Sequence, residues 1–238
     1  MQTYTMPEWV ESRVLRFRGR RFAHQSIDPA RSALVVVDMQ NHFVAPGFHS
    51  ETPAARDIVS NINRTARRMR EAGGTVIWIQ TTAAGALERW ANHLRFNMTR
   101  ERAEGRLASL AEDAEGFKLY PALEPEAGDL FVKKIKYSAL IQGSSDLDAQ
   151  LRRRGIESLL IAGTSTNVCC ESTARDAMML DYRVIVLSDA TAARTLEEHV
   201  ASLNSLALFF ADVMSVDEAL QRIRLDTQIA MPEGPVRV

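Results

Sequence analysis

The run Ala33-Leu-Val-Val-Val-Asp38 is apolar on every successive residue until its last. A strand of that kind has no solvent face, so both sides of the sheet it joins must be covered. Similar short runs recur at Thr75–Gln80, Leu130–Lys133, Ser158–Ala162 and Arg183–Leu187. Between Ala54 and Ala72, Ile58, Ile62, Thr65, Ala66 and Met69 share one helical face with arginines on another, and Gly73-Gly74 ends the segment. Helices are also predicted over Asp146–Arg154, Val168–Leu180, Leu196–Phe210 and Val216–Ile223. This alternation predicts an α/β fold, with parallel strands joined by right-handed crossovers and helices on both faces.

One stretch interrupts the rhythm. No strand is evident between Thr81 and Asp129, and Leu87–Leu110 reads as one or two helices anchored by Trp90, Leu94, Phe96 and Met98. The chain is therefore divided into an N-terminal arm (1–32), a single domain (33–225) with a helical insertion at about 83–128, and a C-terminal tail (226–238). The arm, with Arg13, Arg16, Arg18, Arg20 and Arg21, reads as solvated, the alternatives being a contact with an anionic partner or a neighbouring subunit. A net charge of −1 over 238 residues gives no support to nucleic-acid binding, and no apolar run is long enough to cross a bilayer. The two cysteines, Cys169 and Cys170, are adjacent and form no disulfide framework, so a soluble, cytoplasmic protein is expected.

Ligands of open parallel sheets bind beyond the carboxyl ends of the strands, so the polar residues closing each strand are the candidates. Asp38 closes the first, straight after three valines, where a carboxylate is costly unless paired or used. Lysine is scarce: four of the 29 basic residues, three of them at Lys133, Lys134 and Lys136, where the third strand ends. The fourth strand runs through Gly163-Thr-Ser-Thr-Asn167 into Val168-Cys-Cys-Glu171, with Thr166 or Asn167 as N-cap. Cys169 then falls in a first helical turn, where free amides favour a thiolate and supply an oxyanion hole, while Cys170 reads as a small buried hydrophobe. The histidines His24, His42, His49, His93 and His199 fall at no metal-ligand spacing, and no phosphate-binding glycine loop is present.

Three blocks carry a resemblance: Val35-Val-Val-Asp-Met-Gln-Asn-His-Phe43, Asp129-Leu-Phe-Val-Lys-Lys-Ile-Lys-Tyr-Ser-Ala-Leu140 and Gly163-Thr-Ser-Thr-Asn-Val-Cys-Cys-Glu-Ser-Thr-Ala-Arg-Asp-Ala177. With Ser188-Asp-Ala-Thr-Ala192 they make the sequence resemble the isochorismatase-like cysteine hydrolases. The resemblance implies a three-layer α/β/α sandwich on a six-stranded parallel sheet, assembled as a homodimer or homotetramer. It implies Asp38 as general base, Lys134 as the conserved lysine and Cys169 as nucleophile. It also implies a cis peptide at Thr164–Ser165 and an oxyanion hole from the amides of Ser165 and Cys169. Such residues would cleave an amide or ureide through an acyl-thioester.

Departures narrow the choice. A cysteine at the nucleophile position disfavours isochorismate ether hydrolysis. Gln80-Thr-Thr-Ala-Ala-Gly85 lacks the metal motif of nicotinamidases, so neither metal nor other cofactor is expected. The Cys169 block looks closest to ureidoacrylate and N-carbamoyl amidohydrolases, which implies a small linear amide or ureide as substrate. Gln40, Phe43, Gln80 and Tyr137 are candidate substrate contacts, and Arg194 could grip a substrate carboxylate or pair with Glu197 or Glu198. Asn41 is expected to satisfy backbone groups, Trp90 to anchor the insertion, and Arg175 with Asp176 to form a scaffold ion pair. A catalytically idle binding protein is the alternative outside enzymes.

Overall fold

The computed structural model describes residues 2–223, so the expected tail at 226–238 lies outside the described residues. Six strands, β1 (Ser32–Val37), β2 (Thr75–Thr81), β3 (Leu130–Lys134), β4 (Ser158–Thr164), β5 (Arg183–Ala192) and β6 (Asp212–Met214), form one sheet in the order β3-β2-β1-β4-β5-β6. Every pairing is parallel. The helices are α1 (Glu8–Arg18), α2 (Asn41–Val44), α3 (Val59–Glu71), α4 (Ala86–Arg89), α5 (Ala91–Phe96), α6 (Arg100–Ser109), α7 (Leu147–Arg153), α8 (Glu171–Met179), α9 (Leu196–Phe209) and α10 (Val216–Leu220). Among the described residues, no helix is long and apolar enough to cross a membrane.

Strand side chains alternate between faces, which divides the core in two. Val35, Val37, Ile77, Ile79, Leu159, Ile161 and Val186 pack against Leu147, Leu151, Ala174, Ala177, Leu203 and Leu206. Their neighbours Leu34, Val36, Val76, Trp78, Leu160 and Ile185 pack on the other side against Ile62, Ala66, Met69, Val216 and Ala219. The result is an α/β/α sandwich. Its strand order reverses between β1 and β4, opening a crevice at their carboxyl ends.

The N-terminal stretch is not a solvated arm. Val10 and Val14, one helical turn apart, are buried, and α1 packs on α9. Arg18 Nη1 pairs with Asp212 at 2.9 Å, and Tyr4 Oη donates to Asn204 at 3.0 Å. The arginines of this segment obscure the short apolar stripe beneath them. Two further expectations need correction. Phe96 is exposed rather than an anchor, and Arg175 pairs with Glu171 at 2.5 Å rather than with Asp176.

Gly163 of β4 lies opposite Val37 of β1. Its φ is +112°, and an added Cβ would overlap the Val37 carbonyl oxygen. The β4–β5 register shifts at the same place, between Ile161 and Gly163. Gly163→Ala should therefore destabilise the fold by about 3 kcal/mol or more. Thermal unfolding checks this, with a fall in Tm of roughly 6–12 °C expected for that loss at this chain length.

Candidate active site

Asp38 leaves β1 with φ +52°, a left-handed conformation uncommon outside glycine, and its side chain is wholly buried. Conformational and desolvation costs thus fall on one residue. Oδ1 accepts a hydrogen bond from Thr81 Oγ1 at 2.9 Å. Oδ2 lies 2.8 Å from Lys134 Nζ. The Lys134 ammonium directs its protons to Thr81 Oγ1 (2.7 Å), the Lys136 carbonyl (3.1 Å) and Cys169 Sγ (3.5 Å). Its contact with Oδ2 is that of a close, buried ion pair.

Strand geometry selects Lys134 over its neighbour. Lys133 points to the other side of β3, where its exposed amine meets Glu112 at 2.5 Å, and Lys136 donates outward to the Gln142 carbonyl at 2.9 Å. Thr81 and Lys134 are paired across β2 and β3, so the threonine hydroxyl sits between the charges contributed by β1 and β3. Sequence reasoning missed Thr81, although it is one of the polar residues closing β2.

Cys169 lies in a wide turn, Thr166–Cys170, ahead of α8. The Cys170 amide reaches back five residues to the Ser165 carbonyl (3.2 Å), which the Val168 amide also meets (3.1 Å). Neither Thr166 nor Asn167 is an N-cap, because Thr166 Oγ1 is 2.9 Å from the buried His199 Nδ1 and Ser165 precedes the turn. The Thr164–Ser165 peptide is cis. Cys170 is buried with Sγ 3.9 Å from the Ala162 carbonyl.

Charge in this cluster departs from the expectation of a resting thiolate. Burial pushes the Cys169 thiol up to about 12; Lys134 pulls it down, but the Asp38 carboxylate opposes that pull. Burial favours loss of the Lys134 proton, yet Asp38 and Cys169 hold its value above that of an ordinary lysine. Burial thus favours the protonated Cys169 thiol, beside a Lys134 whose proton is held.

The other expected contacts separate. Gln40 spends its amide on the Thr81 carbonyl (3.0 Å), the Phe117 carbonyl (2.9 Å) and the Thr81 amide (2.7 Å), so it braces the site instead of meeting substrate. Gln80 also donates to the Phe117 carbonyl, at 3.0 Å. Arg194 is exposed and braces the 49–51 loop through the carbonyls of His49 (3.3 Å) and Glu51 (3.4 Å). Asn41 donates to the Glu115 carbonyl at 3.0 Å.

The insertion folds as the short helices α4, α5 and α6. Trp90 stacks on His93 at 3.9 Å and meets Tyr137 edge-on at 4.8 Å, while Tyr137 Oη is 3.3 Å from His93 Nε2. Arg106 of α6 places its guanidinium 5.7 Å from the centroid of the Phe43 ring. Tyr137 is partly buried against the core cluster that contains Cys169. A cavity of about 580 Å³ lies at the amino-terminal ends of β5 and β6, lined by His24, Arg183 and Asp212 among others. Among the described residues, no group of three or more His, Cys, Asp or Glu side chains is placed to hold a metal ion.

The isochorismatase domain family matches residues 32–218. The ureidoacrylate amidohydrolase RutB of Pseudomonas syringae pv. syringae is 36% identical over 206 residues, covering 80% of this chain and 82% of that protein. The crystal structure of a cysteine hydrolase from Pseudomonas syringae pv. phaseolicola superposes with a TM-score of 0.71 at 30% identity, covering 83% of this chain and 94% of that one. The N-carbamoylsarcosine amidase of Thermoplasma acidophilum superposes with a TM-score of 0.61 at 27% identity, covering 79% and 97%.

Two outcomes follow from this geometry. In a Cys170→Ala background, alkylation of Cys169 by iodoacetamide should speed up about tenfold per pH unit from roughly pH 7 to 10, as a raised thiol requires. Thr81→Val leaves Asp38 Oδ1 and a Lys134 proton unpaired and should cost about 1–3 kcal/mol in urea unfolding.

Proposed function

The chain belongs to the isochorismatase family, and we propose that it hydrolyses a C–N bond of a small linear amide or ureide through a thioester on Cys169. The observation that carries this reading is the contact of a thiol, an ammonium and a carboxylate, 3.5 Å and 2.8 Å from Lys134 Nζ, at the sheet's switch point. The similarity to a ureidoacrylate amidohydrolase and an N-carbamoylsarcosine amidase supports an amidohydrolase over an ether hydrolase.

The charge states set the order of events. Cys169 Sγ attacks the carbonyl carbon as its proton passes to Asp38 Oδ2, so thiolate character develops only during the reaction. The carbonyl oxygen becomes an oxyanion held by the amides of Ser165 and Cys169. Collapse of this adduct breaks the C–N bond, and Asp38 returns the proton to the departing nitrogen, which leaves as ammonia or amine. Water then attacks the thioester carbonyl and gives a proton to Asp38, which passes it to the sulfur as the acid product leaves. Lys134 keeps its protons throughout, orienting Asp38 and stabilising negative charge on sulfur.

A panel of ureides and primary amides assayed for ammonia tests the reading, with isochorismate and pyruvate release as the ether arm. Cys169→Ala should abolish turnover and Cys170→Ala should retain most of it. Lys134→Met should lower kcat by about a thousandfold or more, the scale lost when one member of a coupled catalytic set is removed. Full activity in Cys169→Ala would defeat the thioester route.

A further inference from the structure

We propose that Arg106, carried by the insertion, is the substrate-recognition residue of this site, and that the substrate bears a carboxylate beyond the scissile carbonyl. The inference rests on the amidohydrolase reading above.

Arg106 is half-buried against the Phe43 ring, in the segment that directly follows Asp38, and makes no ion pair with any acidic side chain among the described residues. Three carboxylates near it in sequence are engaged elsewhere: Glu104 with Arg100 (2.7 Å), Glu112 with Lys133 (2.5 Å) and Glu115 with Lys118 (2.6 Å). Withdrawing a guanidinium from water without a counter-charge is costly, and a bound anion would offset that cost.

The charge balance of the chamber points the same way. Asp38 and Lys134 cancel, and the Cys169 thiol is neutral at rest. Burial, with Arg106 itself, lowers His42 to about 3 and also lowers His93, so both rings are neutral near pH 7. Geometry seats Arg106 beside the chain that leaves β1: its guanidinium lies 5.7 Å from the Phe43 ring centroid, and Ser109 of the same helix is 2.8 Å from His42 Nδ1. Among the described residues, Arg106 has no carboxylate partner there. Arg194, the other candidate for a carboxylate, is exposed and committed to backbone carbonyls.

The test compares a ureido acid with its neutral methyl ester on the full chain. The wild type should favour the acid. Arg106→Gln should lower kcat/KM for the acid about a hundredfold, chiefly through KM, with a far smaller loss on the ester; Arg106→Lys should recover part of the difference. Arg194→Gln should leave the acid-to-ester ratio unchanged. Equal losses on both substrates, or a wild type that prefers the ester, would overturn the inference while leaving the amidohydrolase reading intact. A second measurement needs no turnover: succinate should slow iodoacetamide labelling of Cys169 in the wild type and not in Arg106→Gln. Protection without cleavage of either substrate would keep the anion site and remove the amidohydrolase reading. Equal protection in both proteins would remove the anion site.

Discussion

Asp38 and Lys134 are both withdrawn from water, and each alone would be an uncompensated charge in the interior. Together, with the Thr81 hydroxyl donating to one and accepting from the other, they form a unit whose parts come from three adjacent strands. Removing one member of such a buried pair costs about 3–5 kcal/mol. A sheet that tolerates this cost at its functional edge must hold register firmly elsewhere. The strands do so with side chains that are apolar on both faces.

The cluster also shows why a parallel sheet suits this chemistry. Asp38 and the turn bearing Cys169 leave strands on either side of the switch point, where the connecting chain diverges and leaves a crevice. Lys134 reaches that crevice from two strands away, across β2. In the insertion, Trp90 meets Tyr137 edge-on and Arg106 lies against the Phe43 ring, beside the chain that leaves β1.

Much of this was legible in the sequence because burial leaves a strong imprint. The all-apolar strands predict the layered architecture, and a charged residue at the end of such a strand is conspicuous, as at Asp38. The three-residue β6 is too short to show periodicity, and in α1 the arginines mask the stripe of Val10 and Val14. Gln40 and Arg194 were misjudged because sequence shows a polar group but not what it has already bonded. The ionisation of Cys169 was misjudged for a related reason: a helical turn favours thiolate locally, while desolvation depends on segments far away in the chain. Arg106 carries no signal in a chain with 25 other-than-lysine cations among its 29 basic residues.

An uncharged resting sulfur has a bearing on the working life of the protein. Peroxides and low-molecular-weight disulfides consume thiolates, whereas a protonated, enclosed thiol reacts with them slowly. On the proposed mechanism, ionisation waits until a carbonyl is at hand, so the burial that raises the Cys169 thiol would also slow its oxidation between turnovers.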